Sequence, residues 1–244
     1  MKEEFVRTAL IYGSDAIDKL KSSRVAVFGI GGVGGYVVEA LARSGVGTLD
    51  IIDNDKVSIT NINRQIIATH SSIGRYKVDV AKERLLDINP DMTVNAYKTF
   101  FLPENEDEFD FSLYDYVVDA IDTVAGKLSL VEKADKTNTP IISSMGAGNK
   151  TNPTLFSVAD INKTTICPLA RVMRKELKAR GIKRLKVVYS TEKPKEPDKE
   201  LLDELMKKEE TTKRSIPGST AFVPSCVGLI IAGELINDLL KEDI

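Results

Sequence analysis

Two clusters in the first third of this 244-residue chain have the residue types and spacing to handle a phosphorylated ligand. Gly29-Ile30-Gly31-Gly32-Val33-Gly34 directly follows an apolar run at residues 25–28. Asp53-Asn54-Asp55-Lys56-Val57-Ser58-Ile59-Thr60-Asn61-Ile62-Asn63-Arg64-Gln65 directly follows a second apolar run at 49–52. In the first cluster Gly29 permits a tight turn, Gly31 and its neighbour Gly32 leave the backbone bare for a phosphate, and Gly34 lets a helix pack close. That helix, expected over 33–43, aims free N–H groups and a positive dipole end at the anion. Asp53 stands 24 residues after Gly29, where a carboxylate binds a ribose hydroxyl. The glycine loop alone fits a nicotinamide cofactor equally well. Asn61, Arg64 and Gln65, with Asp55 in the same loop, shift the reading to a nucleoside triphosphate, because arginine presents a planar fork of donors to phosphate oxygens.

The elements that must position these residues alternate between strand and helix, which predicts a Rossmann-like, doubly wound, mostly parallel α/β sheet with helices on both faces. After the first two strands, residues 75–88 carry Val78, Ala81, Leu85 and Ile88 at helical spacing and stop at Asn89-Pro90. Lys77 falls on the first turn of that helix. Residues 92–97 alternate as a strand, and 114–121 read as a buried strand with Asp122 at its carboxyl end, where open sheets place ligands. Asp119 lies earlier, on the strand itself. A helix at 124–136, a strand at 139–145 and the loop Gly146-Ala147-Gly148-Asn149 complete the first half. Beyond residue 150 the expected elements are a strand at 154–158, a helix at 168–180 opened by Pro168, and a strand at 185–190. A charged, exposed crossover follows at 193–215, and an apolar helix at 218–240 closes the chain. One domain over 1–244 is expected, with a nucleotide-binding half at 1–150 and a substrate-side half at 151–244.

Composition points to a globular enzyme of the cytoplasm: 42% hydrophobic and 29% charged residues, with no apolar leader after Met1-Lys2-Glu3-Glu4. The longest apolar run, about 226–232, is short of the ~20 residues of a membrane span, so no membrane partner is expected. Two cysteines, Cys167 and Cys226, build neither a disulfide framework nor a four-thiolate zinc site. Cys226 lies among apolar residues, as a buried inert thiol does. Cys167, just before Pro168, is not expected to be a nucleophile, and the lone His70 reads as structural.

Charge is uneven. Arg171, Arg174, Lys175, Lys178, Arg180, Lys183, Arg184 and Lys186 face the single acid Glu176 within sixteen residues of a chain whose net charge is −2. A one-sided patch of this kind is the footprint of a nucleic-acid partner.

The two motifs in series, GxGGxG and then DxDxVxxxNxxRQ, resemble the ThiF/MoeB branch of the ubiquitin-activating-enzyme superfamily from Arg7 to the final helix. The resemblance implies that Asp53 binds the ATP ribose, that Asn61, Arg64 and Lys77 bind its phosphates, and that Asp122 holds Mg2+. It also implies a homodimer in which Arg7 reaches the partner's site. Residues 40–47, 60–66, 118–122, 167–170 and 189–192 are most similar to the members that act on threonylcarbamoyladenosine in tRNA. For those members the resemblance implies adenylation of the side-chain carboxylate, then ring closure by its own carbamoyl group with loss of AMP. An intramolecular attack, with an effective molarity of roughly 10⁵ M or more, needs no catalytic cysteine. Two further readings share parts of the pattern: an adenylyltransferase for a ubiquitin-like sulfur carrier, whose usual zinc cysteines are missing here, and an NAD-binding module.

Overall fold

The computed structural model describes residues 2–208 and 216–241. Seven strands form one sheet in the order β3-β2-β1-β4-β5-β7-β6. They are β1 (Arg24–Phe28), β2 (Thr48–Ile52), β3 (Thr93–Tyr97), β4 (Tyr116–Asp119), β5 (Ile141–Ser144), β6 (Phe156–Asp160) and β7 (Lys186–Ser190). All neighbours pair in parallel except β6, which runs antiparallel to β7 at the edge. Helices α1 (Val6–Tyr12) and α2 (Ser14–Ser22) precede β1, and α3 (Gly34–Arg43), α4 (Lys77–Ile88) and α5 (Val124–Thr137) make the crossovers of the first half. Helices α6 (Pro168–Ala179), α7 (Lys199–Lys208) and α8 (Phe222–Leu240) belong to the second. The expected mostly parallel sheet with helices on both faces is the observed one.

The strand period of two sorts the core into two faces. Val25 and Val27 of β1 face a cluster built with α3, α4 and α8, whereas Ala26 and Phe28 face Phe101, Phe109, Phe111 and the α5 residues Leu130 and Ala134. Phe28 meets Phe101 and Phe109 edge to face at centroid separations of 4.9 and 5.3 Å. Helix α6 packs Met173 and Leu177 on Val187 and Tyr189, on the side of α5.

Three expectations are corrected here. Residues 193–215 are not merely an irregular crossover: α7 lies inside them, with Asp198 accepting the N–H groups of Glu200 and Leu201 at its start, and residues 209–215 lie outside the described part. Helices α1 and α2 went unpredicted, although α2 is amphipathic and buries Ile17 and Leu20 on one face. The apolar run in α8 is short, yet the whole helix is long and apolar enough, by length and composition, to cross a membrane. One side of it is the core: Val223, Val227, Ile231 and Leu235 are fully buried. Gly228 lets α8 approach α3, since a Cβ there would stand 2.5 Å from the Val33 carbonyl oxygen.

Candidate functional site

The glycine loop leaves β1, the Asp53 loop leaves β2 and Asp122 leaves β4, so all three open at the carboxyl edge of adjacent strands. Each glycine answers a different constraint. Gly29 has φ +90°, and a Cβ on it would meet the Ala120 carbonyl oxygen at 2.7 Å. A Cβ on Gly34 would fall 1.8 Å from the Gly29 carbonyl oxygen, so the loop closes on itself only without one. At Gly31 the nearest atom to such a Cβ is Gln65 Nε2, 3.9 Å away, which leaves this stretch of backbone bare. A Cβ on Gly32 would meet Pro224 at 3.1 Å and the Arg64 stem at 3.4 Å. Helix α3 begins here with no side-chain cap; the Gly35 and Tyr36 N–H groups donate to the Gly31 and Val33 carbonyls, so the capacity for an anion lies with the N–H groups from Gly31 to Gly34.

Asp53 joins the two loops. Its Oδ2 accepts the Ile30 N–H at 2.8 Å and its Oδ1 accepts the Asp55 N–H at 2.8 Å. Burial raises its pKa above the ordinary aspartate value, and Lys77, 3.7 Å away, only partly opposes the rise. A carboxylate has about four acceptor positions, so two backbone donors leave capacity for a ribose hydroxyl. Lys77 is the first residue of α4. Its backbone N–H donates to the Asp55 carbonyl at 2.9 Å, and its Nζ donates to Asp55 Oδ2 at 2.7 Å. Arg64 is half-buried and donates through Nη1 to the Thr60 carbonyl at 2.9 Å and Asn63 Oδ1 at 3.0 Å. Burial lowers its pKa, but a guanidinium stays charged. Gln65 is buried, and its Oε1 has no hydrogen-bond partner.

Asn61 also shapes its own loop: its Oδ1 accepts the Ser58 N–H at 3.1 Å and closes a 3-10 turn, while the end of the amide that can donate to a phosphate is Nδ2. Asp122 is exposed at the strand end, whereas Asp119 is sealed below it. Both oxygens of Asp119 accept from Lys127 Nζ at 3.0 Å, Lys127 also donates to the Ser144 carbonyl at 2.7 Å, and Ser143 donates to Asp119. Among the described residues no three His, Cys, Asp or Glu side chains stand together as a metal cage. A single carboxylate suits Mg2+, which takes one or two carboxylates and completes its shell with phosphate oxygens and water. The bare glycine backbone and the cations Arg64 and Lys77 fit the phosphates of ATP, and the orphaned Gln65 amide oxygen fits a donor such as a ribose hydroxyl or the adenine amine.

Long-range contacts absent from the sequence reading wall the site. Asn63 Nδ2 donates to the Ser219 carbonyl at 3.1 Å, Asn149 Oδ1 accepts the Gly218 N–H at 2.7 Å, and Pro224 covers Gly32. Lys127 was also missed, although Val124, Leu130 and Val131 at helical spacing already placed it on the core side of α5.

Arg7 is exposed on α1, beside Leu10 and Ile11, which are 81% and 79% exposed. The basic patch divides. Arg171, Lys175, Lys178, Lys183 and Arg184 are exposed. Arg174 is corrected: its Nη1 donates to the Thr164 and Ile161 carbonyls and to Thr164 Oγ1, so it fastens α6 to the preceding turn. Arg180 is corrected too, being paired with Glu132 at 3.1 Å and Glu176 at 2.7 Å. Lys186 is paired with Asp238 at 2.5 Å. Cys226 is half-buried rather than buried, and Cys167 is buried at the start of α6. His70 is exposed and opens a 3-10 turn.

A family model described as the ThiF family matches residues 5–243. The tRNA threonylcarbamoyladenosine dehydratase of Bacillus subtilis (strain 168) is 45% identical over 246 residues, covering 99% of this chain and 96% of its own. The crystal structure of E. coli tRNA N6-threonylcarbamoyladenosine dehydratase, TcdA, in complex with ATP superposes with a TM-score of 0.87 at 32% identity, over 98% of this chain and 94% of that one. The AMP complex of the same E. coli enzyme superposes with a TM-score of 0.86, also at 32% identity and over the same shares of both chains.

Proposed function

The chain belongs to the ThiF family, and on that footing we propose that it uses ATP to activate the carboxylate of threonylcarbamoyladenosine in tRNA and closes it to the cyclic form. The observation that carries this reading is the convergence of bare glycine backbone, Arg64, Lys77 and Asp122 at one edge of the sheet, in a fold similar to that of an enzyme solved with ATP and with AMP.

The triphosphate lies over Gly31 and Gly32 against the start of α3, with its ribose at the Asp53 loop. The substrate carboxylate attacks the α-phosphorus, forming an acyl-adenylate and releasing pyrophosphate. Arg64 and Lys77 absorb the charge that develops on the phosphate oxygens, and their preorganised positions do the catalytic work. Mg2+ held by Asp122, when bound, neutralises further phosphate charge. A carbamoyl nitrogen then attacks the activated carbonyl, the ring closes, AMP departs and the nitrogen gives up its proton. Both partners of this second step belong to one side chain, so the protein supplies positioning and no nucleophile.

The active form is a homodimer. Exposed Val6, Leu10 and Ile11 on α1 and exposed Leu229 on α8 offer an apolar surface that a second copy covers. Tyr12 ties the two helices together through Asn237 at 3.2 Å. Arg7 stands on that surface and acts in the partner's site.

The direct test is mass spectrometry of tRNA nucleosides after incubation with the protein, ATP and Mg2+. Loss of one water from threonylcarbamoyladenosine is the expected result; unchanged nucleoside, with ATP consumed only when a ubiquitin-like carrier is added, overturns the reading. For the dimer, mixing inactive Arg7→Ala with inactive Asp122→Asn should restore activity, and no rescue after verified subunit exchange refutes action across the interface.

A further inference from the structure

Away from the glycine loop, a groove of about 550 Å³ runs between α5 and α6. That lies within the ~300–1,000 Å³ typical of small-ligand sites. Its α5 wall begins at Val124, two residues past Asp122, and continues through Ala125 and Leu128 to Glu132, a length of roughly 12 Å at 1.5 Å per residue. Val172 of α6 faces it and is 44% exposed, although it is an apolar residue in the middle of a basic helix. Arg180 closes the far end, its guanidinium held between Glu132 and Glu176 at 3.1 and 2.7 Å. Glu106 lies at the other border, where Ser129 donates to it.

Two properties bear on the occupant. The groove begins at Val124, two residues past Asp122, so it lies within reach of a polymer whose reacting group is at Asp122. Exposed Arg171 and Lys175 flank Val172, with Lys178 one turn further along the solvent face of α6. The rim is therefore cationic, while the floor is apolar and carries carboxylates. A rim of that kind takes phosphates. An apolar wall with a flat guanidinium takes the face of an unstacked base, and carboxylates accept hydrogen bonds only from N–H or O–H donors. A protein tail with a C-terminal carboxylate would meet Glu106, Glu132 and Glu176 as like charges.

The geometry points to the α5–α6 groove as a binding pocket for an unstacked nucleobase with an exocyclic amine, from single-stranded RNA beside the reacting nucleotide. This inference rests on the tRNA reading above and extends it from backbone attraction to base recognition. The phosphates are held by Arg171, Lys175 and Lys178, and the adjacent base enters between Val172 and Leu128 and donates its amine to the glutamates.

Base and phosphate contacts separate by salt. A phosphate contact contributes counterion release, so its loss flattens the dependence of log affinity on log salt by about one per charge, whereas loss of a base contact leaves that slope alone. Ala125 is exposed, so Ala125→Trp fills the groove without entering the core; Val172→Trp blocks it from the opposite wall. Binding of tRNA that carries threonylcarbamoyladenosine would be measured across a salt series, with thermal melting to verify the fold. The expected result is affinity at least about tenfold weaker for both tryptophan variants, at the parent's slope, while Lys178→Gln lowers the slope. Parent-like affinity in either folded tryptophan variant, or a loss accompanied by a reduced slope, overturns the pocket. Failure of the parent itself to bind tRNA overturns the proposed function and the pocket together, so the two failures are told apart.

Discussion

Lys127 and Lys77 each reach an aspartate at the carboxyl edge of the sheet, and both side chains are enclosed, at 1% and 7% exposure. Their partners differ. Asp119 is fully buried and is further held by Ser143, and Lys127 spends another donor on the Ser144 carbonyl, which ties β4, β5 and α5 into one block. Asp55 is 61% exposed and holds Lys77 from the solvent side. An ion pair with a solvated partner is worth only about 0–1 kcal/mol, so Lys77 exchanges Asp55 for a phosphate at little cost while staying 3.7 Å from the buried Asp53. A sealed pair offers no such exchange, because either group left alone is a buried charge. The same two residue types thus make a clamp in one place and a ligand-ready cation in the other.

The sharpest break of this contrast is Lys127→Met. It leaves Asp119 buried without its cation and should cost about 3–5 kcal/mol in denaturant titrations, whereas Lys127→Met with Asp119→Leu should recover most of that loss. A cost under about 1 kcal/mol for the single variant would mean that the clamp is not sealed. Lys77→Met should do the reverse: turnover falls on the order of 10²–10³-fold, while stability falls less than in Lys127→Met, because Asp55 is solvated and only the 3.7 Å approach to Asp53 is enclosed.

That second variant also carries a pH signature. Burial already raises the Asp53 pKa, and removing Lys77 removes the charge that opposes the rise. A carboxyl whose folded pKa exceeds its unfolded value binds the proton more tightly when folded. Lys77→Met should therefore lose stability as pH rises through the folded Asp53 pKa and regain it as pH falls, opposite in sign to a paired carboxylate. Melting temperatures across pH test this, and a parent-like profile would separate Asp53 from Lys77.

Asp122→Asn should lower turnover about a hundredfold, or ~2.7 kcal/mol, and raise the Mg2+ concentration needed for half-maximal rate. Near-normal turnover would remove Asp122 from the metal assignment, and Asp119, consumed by its clamp, offers no replacement. The smallest effects belong to α6. Replacing Arg171, Lys175 and Lys178 with glutamine should weaken tRNA binding and reduce the salt slope by about three, with melting unchanged. Arg174→Gln should instead lower the melting temperature, since it removes the guanidinium that donates to the Thr164 carbonyl and Thr164 Oγ1 and fastens α6 to the preceding turn.

The sheet and its ligand edge were legible because their signals are local. Buried parallel strands are short apolar runs, and Gly29 and Gly34 stand where the backbone admits no Cβ; both conditions are met within a few residues of chain. The strand ends that carry Asp53 and Asp122 were legible for the same reason, since each lies just past such a run. What a polar side chain is bonded to is a separate matter. Arg174 and Lys178 are both cations of one helix, and only the fold spends the first on carbonyls of the preceding turn while leaving the second exposed. Asn61 carries the same amide whether it caps a turn or meets a phosphate, and the Ser58 N–H takes its oxygen. Pro224 covers Gly32 across more than 190 residues of chain, a contact made by packing α8 on α3 and by no local preference. Chain-local sterics and hydrophobic period thus determine the scaffold, while the assignment of each charge to structure or to ligand depends on which distant donors and acceptors the fold brings within hydrogen-bonding distance.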